Sequence, residues 1–426
     1  MADAHADANA HANAHANAHA HADADADADA HASADAHANA NAHAHADADA
    51  DAHADGEAER WNLTRYAPTA GDPGRGHLES TFIKLNDPRS ARALWVKLTV
   101  FAPTTRASGG PPHPRGDAVA EAWAIAFDHA PEESAPESYR EAAPAKPARA
   151  RHVAVKQTVP IAQARLAPRR PFALEVAGVR FDGHRLRGEV RHGESLVRFD
   201  LVLTPRDRAP LVPLPFPFLY RGRFPKTKLV SPLFDAIADG EVAIESASGN
   251  RAWEVRAWPA MQGHNWGTGH ADLYAWAHCN SWNEPAGREV ALEGFSGKVR
   301  LDRRGRLSTP LVTVIAIRHR GVRYEARRVL EVLRARGSID ALRRWTFSGA
   351  QAGAVFSGAF SMRDDDVVGL YYPNPDGEMT YCLNSKLAHA TLRFAAGDRE
   401  PLILSSEAAA LEIGTHDGAH GARMYV

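Results

Sequence analysis

Between Phe172 and Pro205 the chain reads FALEVAGVRFDGHRLRGEVRHGESLVRFDLVLTP, and this stretch limits the fold more than any other. Phe181, Leu186, Val190, Val197, Phe199, Leu201 and Leu203 mark alternating runs that break at Asp182-Gly183 and at Gly193. A period of two puts apolar groups on one face of a strand, and Gly-containing breaks supply tight turns, so the segment predicts an antiparallel meander. The same cadence runs before and after it. HLESTFIKL and ALWVKLTVFAP flank the turn cluster NDPRSAR as the arms of a hairpin would. VAIES, RAWEVRAW, LVTVIAIRHRGVRYEARRV and DVVGLYYPNPDGEMTYCLNSKLAHATLRF continue the pattern. In the last of these, Pro375-Asp376-Gly377 predicts a turn that pairs Tyr371-Tyr372 with Tyr381-Cys382. RRVLEVLRARGSIDALRRW is the best helix candidate, and a strand continuing into a short helix fits it equally. The expectation is an all-β chain of two tandem antiparallel barrels or sandwiches.

PLVPLPFPFLYRGRFPK carries too many prolines for a central strand and suits an extended connector. It divides the body near residue 235, giving an N-terminal unit over 59–235 and a C-terminal unit over 236–426. Residues 1–58 stand apart. As far as Asp55, Ala alternates with Asp, His or Asn, with ten histidines and eleven aspartates. Ala forms strands poorly and buries little area, so this low-complexity tail is expected to be disordered. Its imidazoles and carboxylates suit weak binding of divalent metal ions, the alternative being a solvated repeat without a role. A second Pro/Ala/Glu stretch, PEESAPESYREAAPAKPARAR, reads as a long surface insertion.

The tail carries −11 of a formal −2, which leaves +9 on the body. That excess is scattered through RLAPRRPF, RLDRRGRL and RRVLEVLRARG rather than gathered in an aromatic-interleaved stripe, which argues against nucleic acid as a partner. No apolar run reaches the length of a membrane span, and the first residues lack the regions of a signal peptide. A cytoplasmic protein is expected, peripheral to a membrane only through an apolar substrate. With two cysteines, Cys279 and Cys382, a disulfide framework or a four-thiolate zinc site is excluded.

The chemistry concentrates in MQGHNWGTGHADLYAWAHCNSW, residues 261–282. On a strand, Asp272, Tyr274, Trp276, His278, Asn280 and Trp282 share one face, and Leu273, Ala275, Ala277, Cys279 and Ser281 share the other. Bulky groups with polar tips suit a ligand-holding lumen, so the even set is expected inside a barrel. Gly263, Gly267 and Gly269 suit a bulge or bend, from which His264 and Trp266 would project into the same cavity. The competing reading is an aromatic core whose His and Asn merely satisfy indole N–H groups.

GHNWG followed by WAHCNSW resembles the pattern of tocopherol cyclases at Asn265, Trp266, Gly267, Trp276, Cys279 and Asn280. It is similar, more loosely, to the carotenoid 1,2-hydratase signature at His264, Trp266 and Gly267. Two departures stand out. Gly263 occupies a position that is commonly acidic in the hydratases, and His278 one that is usually glutamine in the cyclases. The resemblance implies tandem lipocalin-like barrels, an apolar isoprenoid- or polyene-like ligand, and proton-driven chemistry with no metal or redox cofactor.

Protonating an alkene needs a positioned acid, and aromatic faces stabilise the cation that forms. Asp272, His264 and His278 are the candidate catalytic residues. Asn265, Trp266, Tyr274, Trp276, Asn280 and Trp282 are the candidate substrate-binding residues. A metal site on His264, His270 and His278 is disfavoured by their spacing, and no metal is assigned. Two function classes stay open: a cofactor-independent cyclase, isomerase or hydratase, and a non-catalytic carrier of lipids or terpenoids on the same barrels. Convergence of Asp272, His264 and His278 on one point would favour the enzyme, and dispersal the carrier.

Overall fold

A computed structural model describes residues 56–67, 76–104, 118–129, 150–214, 216–222, 224–298, 308–326, 328–397 and 399–426. The repeat tail, its metal expectation, and nearly all of the Pro/Ala/Glu stretch lie outside the described residues. The rest is antiparallel β-structure in two ten-stranded sheets.

The first sheet takes strands β1 (His77–Asn86), β2 (Arg92–Ala102), β3 (Val119–Asp128), β4 (Val153–Pro160), β5 (Leu174–Val176), β6 (Val179–Phe181), β7 (Arg185–His192), β8 (Ser195–Asp207), β9 (Thr227–Glu245) and β10 (Arg251–Gly267). Their order is β4-β3-β2-β1-β10-β9-β8-β7-β6-β5. The predicted hairpin is β1–β2, and the predicted meander is β5 to β8. Apolar side chains from both ends of this order, among them Val155, Phe181, Val190 and Leu98, pack in one core. The two ends therefore curl toward each other. Gln157 of β4 accepts the Arg191 backbone N–H of β7 at 3.1 Å across the gap.

The second sheet comprises β11 (Leu273–Cys279), β12 (Val290–Lys298), β13 (Val312–His319), β14 (Val322–Glu325), β15 (Arg336–Asp340), β16 (Arg344–Gln351), β17 (Ala354–Ser361), β18 (Val368–Pro373), β19 (Met379–Ala396) and β20 (Leu402–Thr415). The helix candidate resolves into a short helix, Val329–Arg334, leading into β15. Tyr371 pairs with Tyr381 across the predicted turn. This sheet also wraps its own core. Trp345, Phe347, Phe356 and Phe360 fill it, and Gln351 of β16 donates to the carbonyls of Ile315 and Tyr324 on the far side.

The change of sheet falls between Gly267 and Leu273, later in the chain than the division expected at residue 235. Among its described residues the Pro-rich connector forms an isolated bridge between Leu211 and Ser231 and includes a helical turn, Phe218–Arg221. Register shifts at Ala260/Gln262 and Gln262/His264 place bulges where the glycine-rich bend was expected. A Cβ on Gly263 would stand 2.3 Å from Phe82 Cζ, so only glycine lets β10 pass under that ring.

The outer faces of the two sheets meet in a third cluster that draws Phe82, Trp95, Trp123 and Met261 from the first and Trp276, Leu370, Tyr372 and Cys382 from the second. Polar groups pin the same seam. Asp235 of β9 accepts from Arg206 at 3.0 Å, from Asn280 at 2.8 Å and from Arg318. Arg323 donates to Asp207 at 2.7 Å, and Lys84 to Asn280 at 3.2 Å.

Candidate functional site

Of the even-numbered residues of the motif, Trp282 lies in the second sheet's core, and Tyr274 and Trp276 do not. Ala275, Ala277 and Cys279 face the second core, where small size leaves room for Trp345 and its phenylalanine neighbours. Tyr274 and Trp276 therefore face the seam. There they line a chamber of about 80 Å³, which adjoins a second chamber of about 250 Å³. Thr227, Leu229, Ala271 and Phe295 form walls of both.

Glu293 of β12 is the acid of the larger chamber, in which its neighbours are mostly aliphatic and aromatic. The residue is 4% exposed. The Trp276 indole donates to its Oε1 at 2.8 Å, and the Ser231 hydroxyl, from the first sheet, donates to Oε2 at 2.6 Å. Burial pushes the carboxyl up to about 7, outweighing the pull of those two bonds and of the Lys84 charge. A carboxylic acid in this position holds a proton near neutrality and has a built-in stabiliser for the anion left when the proton goes. Gly294 follows it because a Cβ there would stand 2.4 Å from Trp345 on the core side.

Lys97 of β2 lines the smaller chamber with Asn265, His270, Tyr274, Tyr372 and Glu412. Its Nζ stands 3.6 Å from the Tyr372 ring centroid. Burial lowers the ammonium to about 8. Glu412, the nearby carboxylate, makes its ion pair with Lys386 instead, at 2.8 Å. His270 lies between the rings of Tyr372 and Tyr274, with centroids 5.2 and 6.3 Å away, and its Nδ1 is 3.0 Å from Asn374 Oδ1. Burial, helped by the Lys97 charge, drops its imidazole to about 3, so it is neutral.

Of the residues singled out from sequence, Asn265, Tyr274 and Trp276 line this cavity. His264 and Trp266 flank Asn265 on one strand and so point to the opposite face of β10. His264 is fixed there, Nδ1 at 2.6 Å from the Trp61 carbonyl and Nε2 at 2.8 Å from Glu79. Burial alone would raise the Glu79 carboxyl, yet bonds from His264 and His77 and their charge hold it at about 2. Trp266 stacks on Trp61, centroids 6.3 Å apart, with the Arg65 guanidinium 5.1 Å over its ring.

The others are engaged elsewhere. His278 donates from Nε2 to the Phe234 carbonyl at 2.9 Å, and burial together with the Lys84 charge keeps the ring neutral. Asn280 bonds Asp235, the Ala260 carbonyl and Lys84 in the seam clamp. Trp282 donates to the Val290 carbonyl at 3.0 Å inside the second core. Asp272 stands half-buried beside Glu378 and His416, their ligand atoms within 4.8 Å of one another. His264, His270 and His278 thus go to three places, and Asp272, His264 and His278 do not converge.

Sequence reasoning missed Glu293 and Lys97. Each is a lone charge in an apolar run, in VALEGF and LWVKLTV, and that was the available signal.

A family model described as tocopherol cyclase-like matches residues 232–415, from within β9 to the end of β20. Over that span the chain is similar to tocopherol cyclase-like proteins. The tocopherol cyclase-like span contains Glu293, Trp276, Tyr274 and Asn265, while Lys97 lies outside it. No curated protein matches the chain by sequence. Similar solved structures include an AttH-type protein of Nitrosomonas europaea, 13% identical with a TM-score of 0.43, covering 82% of this chain and 98% of that one. Kievitone hydratase of Nectria haematococca is 10% identical with a TM-score of 0.41, covering 83% and 94%. CghA with Sch210972 is 9% identical with a TM-score of 0.45, covering 80% and 88%. At scores below 0.5 none of these bears on function. No helix among the described residues is long and apolar enough to cross a membrane.

Proposed function

We propose that the protein is a cofactor-independent cyclase or hydratase of an apolar, isoprenoid- or polyene-like small molecule, with Glu293 as its acid. The observation that carries this reading is a buried carboxyl, pushed to about 7, on the wall of an apolar cavity. The tocopherol cyclase-like match over the same strand supports it.

In this mechanism the Glu293 carboxyl gives its proton to one carbon of a substrate double bond, leaving a carbocation on the more substituted carbon. The faces of Phe295 and Tyr274 stabilise that cation. An internal hydroxyl or a water adds to it, and the oxygen's proton returns to the Glu293 carboxylate, which the Trp276 and Ser231 donors have stabilised meanwhile. Asp272, His264 and His278 take no part. Their dispersal favours the second reading, a carrier that binds the same ligands without turnover.

Incubation with a panel of polyprenyl phenols and polyenes in D₂O separates the two. The enzyme reading expects product carrying one deuterium on carbon, and a loss of about 10²–10⁴-fold in turnover for Glu293→Gln with binding retained. Ligand recovered unchanged and unlabelled from wild type would leave the carrier.

A further inference from the structure

We infer that the cavity takes an amphipathic anion, with its apolar body in the larger chamber and an acidic oxygen, carboxylate or enolate, against Lys97 Nζ in the smaller one. This rests on the cavity being the ligand site and adds the class of ligand.

Lys97 differs from every other buried cation of the seam. Lys386 donates to Asn384 and pairs with Glu412, Lys84 donates to Asn86 and Asn280, and Arg206 and Arg318 share Asp235. Lys97 is 5% exposed, and its Nζ faces the rings of Tyr372 at 3.6 Å and of Trp95 and Trp123 at 5.8 Å each, while Glu412 and Glu121 act on it through their charge. At about 8 it is charged at neutral pH. Aromatic faces offset part of the cost of burying that charge, but a buried ammonium without a hydrogen-bonding anion is an incomplete arrangement.

The cavity supplies the place for the missing partner. Lys97 lines the smaller chamber, and the four residues that line both chambers set it directly beside the larger. An oxyanion seated at Lys97 would direct the rest of its molecule past Phe295 toward Glu293. Glu412 gives its Oε1 to Lys386 and acts on Lys97 through its charge rather than through a hydrogen bond.

The test uses the full chain with two probes, cis-parinaric acid and its methyl ester, whose polyene fluorescence rises on entering an apolar site. Wild type is expected to bind the acid about tenfold or more tighter than the ester, as a charge-assisted hydrogen bond would give. Lys97→Met should abolish the preference, so that acid and ester bind that variant equally. Val314→Trp, which fills the larger chamber, should block both. Equal binding of acid and ester to wild type overturns the inference, and this comparison needs no variant to fold. Persistence of the acid preference in Lys97→Met overturns it too. In either case ester binding that Val314→Trp blocks leaves the cavity reading standing, whereas binding of neither probe, or binding insensitive to Val314→Trp, removes both.

Discussion

The Trp276 indole nitrogen and the Glu293 carboxyl meet diagonally across two paired strands, 2.8 Å apart. Trp276 lies opposite Phe295, and Glu293 lies opposite His278, so neither is the direct cross-strand neighbour of the other. Diagonal neighbours reach each other only through long side chains, which an indole and a glutamate provide. The most prominent aromatic of the sequence motif is thereby tied to an acid that lies outside it.

Removing that donor should move the acid. Trp276→Phe keeps the ring and deletes the N–H that favours the carboxylate, so the Glu293 pKa should rise by about one further unit. The alkaline limb of the turnover profile, or the protonated carboxyl stretch followed by infrared titration, should shift upward in pH. An unmoved titration would separate Trp276 from the acid.

Glu293 also gives a signed prediction for stability. Its folded pKa, about 7, lies above the ordinary 4.5, so its protonated form favours the folded state. That contribution is fully present below about pH 4.5 and is lost as pH rises through 7. Glu293→Gln should therefore gain on wild type across this window, approaching about 3 kcal/mol above pH 7. Urea unfolding at pH 5 and pH 8 measures the difference.

Glu79 should behave in the opposite sense. Held at about 2, its carboxylate stabilises the fold above pH 4.5, and this is lost as pH falls through 2. Glu79→Gln should lose about 3 kcal/mol at neutral pH and show a flattened acid unfolding limb. Thermal melts at pH 7 and pH 3 would read both effects.

At the seam, Asp235 is the shared acceptor of Arg206, Arg318 and Asn280. Truncation to Ala strands two guanidinium groups at the interface of the sheets. The expected cost is about 3–5 kcal/mol, with Asp235→Asn between that and wild type. Chemical denaturation with probes in each sheet would show whether the two still unfold together.

Much of the architecture was legible because period-two alternation and turn residues act locally. The hairpin β1–β2, the meander and the turn at Pro375-Asp376-Gly377 all stand where their sequences placed them. The split into two faces was legible over the strand Leu273–Cys279, but Trp282 beyond its end turns into the core with the small residues. Which face was inside was not, since that depends on Trp345 and Phe347 arriving from strands far along the chain to fill the space beside Ala275 and Ala277. Closeness in sequence misled for His264 and Trp266, which belong to a different sheet from Trp276 and turn away from Asn265. Lys386 is fully buried against Glu412. Its burial, like that of Glu293 and Lys97, is set by the packing of one sheet on the other, of which a lone charge in an apolar run is the only local trace.

Because the cavity is walled by the backs of the two sheets and by the Pro-rich connector, its lining is separate from the side chains that fill either core. Phe295, Leu229 or Asn265 can therefore be exchanged without opening a void around Trp345 or Phe181. A scaffold arranged in this way lets the range of accepted molecules drift from one descendant to the next while the melting temperature stays nearly constant.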